Sequence, residues 1–244
     1  MKKFLMTAAL AAVALGASAQ TWPDKAVTMV VPFPPVGSTD QVARAVGPLL
    51  TNKLKQSFLV DNKAGATGTI GAGFVKRAPA DGYTLLVTSL GPLVIAPYLL
   101  AKVPYEASKD FDYLTVAVQA PNVLVVPASS PYKTMAELIA AEKANPGKLT
   151  FASAGTGTSD HLSAELFWLQ SGTSGLHVPY KGAAPAITDL LGGQVDAAFQ
   201  NINNVLPHIT AGKLRVLAIA APKRSPLLPN VPTLSEQGLA DMAF

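Results

Sequence analysis

The chain has 244 residues, of which 49% are hydrophobic and 14% are charged, and its formal net charge is +4. This balance excludes a disordered chain and supports one large or two modest domains with buried cores. The basic residues are scattered rather than clustered with aromatic residues, which argues against a nucleic-acid-binding surface. There is no cysteine, and the three histidines (His161, His177 and His208) lack the spacing of metal ligands, so we expect no structural metal.

Residues 1–19 have the pattern of a secretory signal peptide. Lys2 and Lys3 form a short positive region, residues 4–15 are apolar, and residues 17–19 form a small-x-small cleavage motif. The apolar stretch is too short to cross a bilayer comfortably, which disfavours the alternative of a retained anchor. We therefore expect cleavage after Ala19 and export to the periplasm.

From there on, short β-like runs alternate with segments of helical spacing, which predicts mostly parallel sheets flanked by helices, an α/β fold. The expected strands are residues 27–33, 58–60, 83–88, 113–118, 122–126, 149–152, 175–179, 195–199 and 214–220. The expected helices are residues 41–56, 70–75, 135–143, 160–170, 184–191 and 203–211. The first of these helices is expected to bury Val42, Ala45, Val46, Leu49 and Leu50. Thr134 and Glu137 predict a capping box on the third.

Two loops between a strand and a helix look suited to the same anion. They are residues 31–40 (VPFPPVGSTD) and residues 152–161 (ASAGTGTSDH). Such turns expose free backbone N–H groups at the positive end of a helix dipole, with hydroxyl groups beside them. Because the two loops lie about a domain apart in the chain, they suggest two lobes that close on a small, negatively charged molecule.

Each loop also has an ordinary interpretation. Residues 37–40 suit a helix N-cap with an acidic first turn. Residues 155–159 suit a flexible loop with a capping serine; they lack the lysine of a nucleotide phosphate loop, and Asp160 replaces the third glycine of a dinucleotide motif. Asp189 and Asp196 fit structural pairing, and His161, in the first turn of a helix, fits a neutral structural role.

Six motifs, in this order, resemble one known family. They are PFPPVGSTD (32–40), NKAGATGTIGA (62–72), APADGYTL (78–85), SAGTGTSDHL (153–162), VPYKG (178–182) and DLLGGQVD (189–196). The chain resembles the Bug family, the periplasmic solute receptors of tripartite tricarboxylate transporters, from the signal peptide to Phe244.

The resemblance implies a two-lobed clamshell of the periplasmic-binding-protein type, without catalysis or cofactor. Its lobes are expected at residues 20–120 and 121–225, with residues 226–244 crossing back toward the first lobe. The family continues beyond the position of Phe244, so the resemblance also implies a chain shortened at its C-terminus. The expected partners are a small di- or tricarboxylate or aromatic acid and a two-subunit membrane permease, and the receptor itself is expected to be a monomer.

The resemblance and the loop chemistry together give the expected ligand-binding residues. They are Phe33, Pro34, Gly37, Ser38, Thr39, Asp40, Gly65, Ala66, Thr67, Ser89, Ala154, Gly155, Thr156, Gly157, Thr158, Ser159 and Tyr180. The chain departs from the family at Val36, Ala64 and Thr67, where glycine, proline and glycine are more usual.

An exported α/β hydrolase acting on an anionic substrate is the alternative. The chain has no Gly-x-Ser-x-Gly elbow and no cysteine nucleophile. A hydrolase would instead require Ser153, Ser159 or Asp40 within hydrogen-bond reach of His161.

Overall fold

The computed structural model describes residues 22–239, and the predicted signal peptide and cleavage site lie outside them. The first lobe contains a three-stranded parallel sheet with the order β2-β1-β3. Its strands are β1 (Val27–Val31), β2 (Phe58–Asn62) and β3 (Thr84–Leu86). Its helices are α1 (Ser38–Leu54), α2 (Thr69–Arg77), which follows a 3-10 turn at Ala66–Gly68, and α3 (Ala96–Leu99), which follows a π-helical turn at Gly91–Ile95.

Helix α1 packs on the sheet through small residues together with Leu50, which is only one part of the predicted apolar face. Leu49 is 70% exposed, whereas Ala43 and Gly47 are buried. A Cβ on Gly47 would lie 2.8 Å from the Met29 side chain and 3.4 Å from the Phe58 carbonyl oxygen. The missing side chain at Gly47 therefore lets the helix approach β1 and β2 closely, and this turns Leu49 away from the sheet.

The second lobe contains a five-stranded sheet with the order β6-β5-β7-β4-β8. Its strands are β4 (Asn122–Pro127), β5 (Thr150–Ser153), β6 (Leu176–Pro179), β7 (Ala197–Asn201) and β8 (Leu214–Ala220). Its helices are α4 (Met135–Ala144), α5 (Ser159–Ser171), α6 (Ala183–Leu191) and α7 (Ile202–Thr210). The predicted capping box of α4 is confirmed, because Thr134 and Glu137 exchange backbone and side-chain hydrogen bonds.

Strand β4 is the exception in an otherwise parallel second sheet, because it runs antiparallel to both β7 and β8. Asn122, at the start of β4, pairs with Asn201 and Ala220 at the ends of those strands. The chain thus enters the second lobe at the edge where its neighbours' carboxyl ends lie, and it must run in the opposite direction. The same edge carries the loops that face the first lobe.

Both faces of the second sheet are covered, as the apolar run of β4 predicts. Leu124 and Val126 point to a layer that contains Phe151, Phe167 and Trp168, while Val123 and Val125 of the same strand point to a second layer with Ile187, Leu190, Val205 and Ile219. This two-sided burial makes the lobe a rigid support for its edge loops.

One predicted strand differs from the structure. Residues 113–118 form no strand, and Leu114 is 77% exposed, because no described strand lies beside them. The described part of the predicted crossover segment packs on the second lobe: Thr233 bridges to Ile219, and Leu234 and Leu239 are buried in the second core. Apolar packing on the second sheet holds this segment, and residues 240–244 lie outside the described part. In residues 22–239, no helix is both long and apolar enough to traverse a bilayer.

The second core contains a fully buried acid, Glu142. It accepts hydrogen bonds from Trp168 Nε1 at 2.8 Å and from Thr173 Oγ1 at 2.9 Å. Burial raises the pKa of the Glu142 carboxyl above its usual value, and the two hydrogen bonds oppose this rise only in part.

We expect Glu142→Gln to become increasingly stabilising relative to the wild type as the pH rises above the folded-state pKa of Glu142. A raised folded-state pKa favours the protonated acid, so its contribution is present below the unfolded-state pKa and is lost as the pH rises through the folded value. Glutamine keeps a neutral group at every pH. Thermal unfolding across acidic to alkaline pH measures this, with Glu106→Gln, at an exposed site, as the control. A wild-type advantage that grows with pH would contradict the prediction.

Candidate functional site

The first loop joins β1 to α1 and turns at Val36. This residue has a φ of +70°, in the left-handed region that a β-branched side chain rarely adopts. The Val36 amide donates to Asp40 Oδ2 at 2.9 Å, and its carbonyl oxygen accepts from Gln41 Nε2 at 3.1 Å. The first turns of α1 thus hold the loop in its bent conformation.

Asp40 organises this loop from a position where it is only 2% exposed. Besides the Val36 amide, its carboxylate accepts from Arg44 Nε at 2.9 Å and from Asn62 Nδ2 at 2.9 Å. Burial raises the pKa of Asp40, but the hydrogen bonds from Arg44, Val36 and Asn62 outweigh burial and leave the pKa below its usual value. All three partners belong to the first lobe. Asp40 therefore fixes the conformation of the loop, and other groups of the loop remain available to a ligand.

The free donors of the first loop are the amides of Gly37, Ser38 and Thr39. None of the three has a hydrogen-bond acceptor within residues 22–239. They begin a helix of 17 residues, whose positive dipole end favours an anion.

The second loop joins β5 to α5, and several of its amides are used inside the loop. Ala154 donates to Asp160 Oδ2 at 3.1 Å, and Gly155 donates to Ser153 Oγ at 3.1 Å. Burial raises the pKa of Asp160 to about 6, and the hydrogen bond from Ala154 opposes this. Asp160 therefore serves the second loop as Asp40 serves the first.

Two more amides of the second loop have internal acceptors. Gly157 donates to His161 Nδ1 at 3.1 Å, and Thr158 donates to the Gly155 carbonyl oxygen at 3.2 Å. The Thr158 hydroxyl donates to the same oxygen at 2.7 Å. Contrary to the expectation that the amides of Gly155, Gly157 and Thr158 face a ligand, these amides fold the loop.

The free donors of the second loop are the amides of Thr156 and Ser159. Neither has an acceptor in the part of the chain that the structure describes. Ser159 begins α5, a helix of 13 residues, so the loop again lies at a positive dipole end.

The two lobes touch along this second loop. The Thr67 hydroxyl of the first lobe donates to the Thr156 carbonyl oxygen at 2.9 Å. A Cβ on Gly157 would lie 2.8 Å from the Leu99 side chain and 2.9 Å from that of Thr67. Only a residue without a side chain fits between the lobes at this point.

Polar side chains join the lobes beside the first loop. Asn203 Nδ2 donates to Ser38 Oγ at 3.0 Å, and Gln41 Nε2 lies 3.4 Å from Asn204 Oδ1. Asn203 and Asn204 are not among the residues predicted from the sequence. The available signal was their place at the start of the helix after buried β7, on the edge that faces the first lobe.

The other predicted site residues have varied surroundings. Pro34 lies 3.1 Å from the position of a Cβ on Gly182, so it also spans the lobes, and the Phe33 ring lies 3.3 Å from the corresponding position on Gly68. The Tyr180 hydroxyl donates to Asp189 at 2.6 Å, which raises its pKa to about 12.

Ser89 is exposed, and its carbonyl oxygen accepts from the neighbouring Thr88 hydroxyl at 3.4 Å. The structure does not bring Ser89 to either loop by a hydrogen bond.

Two cavities flank the loops. One of about 240 Å³ is lined by Tyr98, Leu99 and Leu162, and one of about 430 Å³ lies beside Pro121 and Asn203. Neither is lined by the free amides, and hydrogen bonds between the lobes lie beside both loops.

The geometry does not favour the hydrolase. Ser153 lies 2.7 Å from His177 Nε2 rather than beside His161, and it is 1% exposed. Asp40 and Ser159 make no hydrogen bond to His161 within the described residues. In this same part of the chain, no group of three or more His, Asp or Glu residues is placed to hold a metal.

We expect Val36→Gly to stabilise the protein by about 1 kcal/mol. Val36 is 66% exposed, so its removal loses little packing and relieves left-handed strain. Urea unfolding measures the change. Val36→Ala is the matched control, since it keeps the Cβ and should recover only part of the gain. A glycine variant less stable than wild type would show that the turn is unstrained.

Comparisons with known proteins agree with this architecture. The profile of a family described as "Tripartite tricarboxylate transporter family receptor" matches residues 42–243. Protein BugT of Bordetella pertussis is 42% identical over 236 residues, which cover 96% of this chain and 72% of BugT. A UPF0065 protein in the tcbD-tcbE intergenic region of Pseudomonas sp. strain P51 is 41% identical over 88% of this chain and 64% of its own length. The chain thus spans about two thirds of the length of such relatives.

Solved structures show the same fold. Rpa4515 of R. palustris with adipate superposes with a TM-score of 0.88 at 36% identity, covering 91% of this chain and 75% of that one. MatC of Rhodopseudomonas palustris with bound malate gives 0.85 at 34% identity, covering 91% and 76%. The fold is therefore the two-lobed α/β fold of periplasmic binding proteins, and the chain belongs to the Bug family of tripartite tricarboxylate transporter receptors.

Proposed function

We propose that this protein is an extracytoplasmic receptor that binds a small carboxylate between its two loops and delivers it to a membrane permease. The observation that carries the proposal is the pair of free amide clusters, one per lobe. Gly37, Ser38 and Thr39 offer donors from the first lobe, and Thr156 and Ser159 offer donors from the second. One carboxylate has two oxygens and can accept from both lobes at once.

The loop chemistry favours a carboxylate over a more highly charged anion. Residues 32–40 and 154–159 contain no lysine or arginine. Nearby Arg44 is paired with Asp40 at 2.9 Å, and Lys63 is paired with Asp61 at 3.0 Å. Backbone dipoles and hydroxyl groups therefore carry the recognition, which suits a single negative charge.

The relatives give the ligand class. Adipate and malate, named with the two R. palustris structures, are both dicarboxylates. A second acidic group of the ligand would lie along the cleft between the lobes. The proposal includes export by the signal peptide with cleavage after Ala19, a two-subunit permease partner, a monomeric receptor, and no catalytic step.

The direct test is a panel of acids in a thermal unfolding assay of the chain from residue 20 onward. A dicarboxylate such as malate or adipate should raise the melting temperature, by an amount that corresponds to about 2.7 kcal/mol at a hundredfold excess over Kd. The matched neutral diamide should have no effect, since it lacks the charge that the helix dipoles favour. No shift with any di-, tri- or aromatic carboxylate would overturn the proposal.

A second test uses the closed interface. Gly157→Ala should weaken carboxylate binding at least about tenfold, because its Cβ collides with Leu99 and Thr67 only when the lobes close. Gly193→Ala is the control: its φ of +68° carries the same backbone cost, and nothing lies within 4 Å of its Cβ position. Calorimetric titration of both variants compares the affinities. Equal affinities would show that closure does not accompany binding.

A further inference from the structure

Two histidines lie stacked beneath the second loop. The rings of His161, in the first turn of α5, and His177, in β6, have centroids 4.0 Å apart and an interplanar angle of 21°. They come from elements that are adjacent only in the folded lobe. Each ring ends a hydrogen-bond path that starts at a glycine amide of the loop.

The path to His161 is direct. Gly157 donates to Nδ1 at 3.1 Å, so this nitrogen carries no proton. The ring proton therefore lies on Nε2, which is 3.3 Å from Glu165 Oε1. A charged ring would place a donor on Nδ1 opposite the Gly157 N–H, and it would stand at the positive end of α5.

The path to His177 passes through a hydroxyl. Gly155 donates to Ser153 Oγ at 3.1 Å, and this oxygen lies 2.7 Å from His177 Nε2. Ser153 is only 1% exposed, and among the described residues its hydroxyl proton has one acceptor within reach, His177 Nε2. We therefore assign this nitrogen as the unprotonated one. Burial is the main cause that lowers the pKa of His177 to about 4, and a proton on nearby His161 would act in the same direction, so the ring is neutral near neutral pH.

We propose that His161 and His177 are positioning residues of the carboxylate site, held in opposite neutral tautomers. By accepting from Gly157 and, through Ser153, from Gly155, they fix the glycine on each side of Thr156. The Thr156 N–H, between these two held glycines, is left as a free donor for the ligand. This inference rests on the proposed function, and it assigns the geometry of the second loop to specific ring nitrogens.

The accepting nitrogen is Nδ1 in His161 and Nε2 in His177. The two rings should therefore respond in opposite ways to replacement by asparagine and by glutamine. The Oδ1 atom of asparagine can take the place of histidine Nδ1, and the Oε1 atom of glutamine can take the place of Nε2. His161→Asn should therefore keep carboxylate affinity within about threefold, while His161→Gln and His161→Ala lose about tenfold or more. At the second ring the order reverses: His177→Gln should keep affinity, and His177→Asn should lose it.

The control is His208→Gln, since His208 lies on α7 outside both loops and should leave affinity unchanged. Calorimetric titration with malate or adipate, whichever stabilises the wild type, gives the affinities. If the four variants with asparagine or glutamine at His161 or His177 all lose affinity equally, or if none does, the ring nitrogens do not position the loop. Either result would overturn the inference.

A second measurement requires neither a variant nor a ligand. In ¹⁵N-labelled wild-type protein, long-range imidazole couplings should show the Nε2–H tautomer for His161 and the Nδ1–H tautomer for His177. Two rings in the same tautomer, or a charged ring at neutral pH, would overturn the inference. If the tautomers are as expected but no carboxylate binds the wild type, the proposed function fails and the loop geometry stands.

Discussion

Each loop of the cleft depends on one buried aspartate in the first turn of the helix that follows it. Asp40 accepts the Val36 amide at 2.9 Å, and Asp160 accepts the Ala154 amide at 3.1 Å. A carboxylate at a helix N-terminus is stabilised by the helix dipole, and burial strengthens its hydrogen bonds. The acids therefore determine which amides are used within the loop and which remain for an external anion.

The pKa values of the two aspartates are shifted in opposite directions. Asp40 has a guanidinium and an amide side chain as further donors, and its pKa is lowered. Asp160 is supported by neutral groups, and burial raises its pKa to about 6. The second loop consequently relies on additional acceptors, namely Ser153 and the two stacked histidines. The first loop is therefore held by an aspartate with a charged partner, and the second loop by an aspartate whose partners are uncharged.

Much of this architecture could be predicted from the sequence because it follows from local pattern. Apolar runs placed most strands, glycine-rich segments placed both loops at strand ends, and the capping box at Thr134 and Glu137 placed the start of α4. The features that the pattern does not predict depend on tertiary packing. Gly47 permits a close helix approach that no periodicity indicates, and the direction of β4 depends on where the chain crosses between lobes. Residues 113–118 have strand composition without a neighbouring strand in the described part.

The candidate site was predictable at the level of segments but not of atoms. Composition identifies loops rich in N–H groups, but it does not show which of these groups find partners. The acceptors of Gly155 and Gly157 lie on β5 and α5, and His177 joins them from β6 only after the sheet forms. Asn203 was missed for the same reason, since its partner Ser38 is 165 positions away in the chain.

Two residues with strained backbone conformations lie on the loops of the first lobe that face the second lobe. Val36 and Thr67 are both β-branched, and both have left-handed φ values, +70° and +58°. They also occupy positions where the resembling family usually has glycine. Such strain costs about 1–2 kcal/mol per residue and persists where the surroundings determine it. At Thr67 the compensation is visible, because its hydroxyl donates across the cleft to Thr156 at 2.9 Å. That bond exists only while the lobes are closed, so the side chain that strains the first lobe also stabilises the closed receptor.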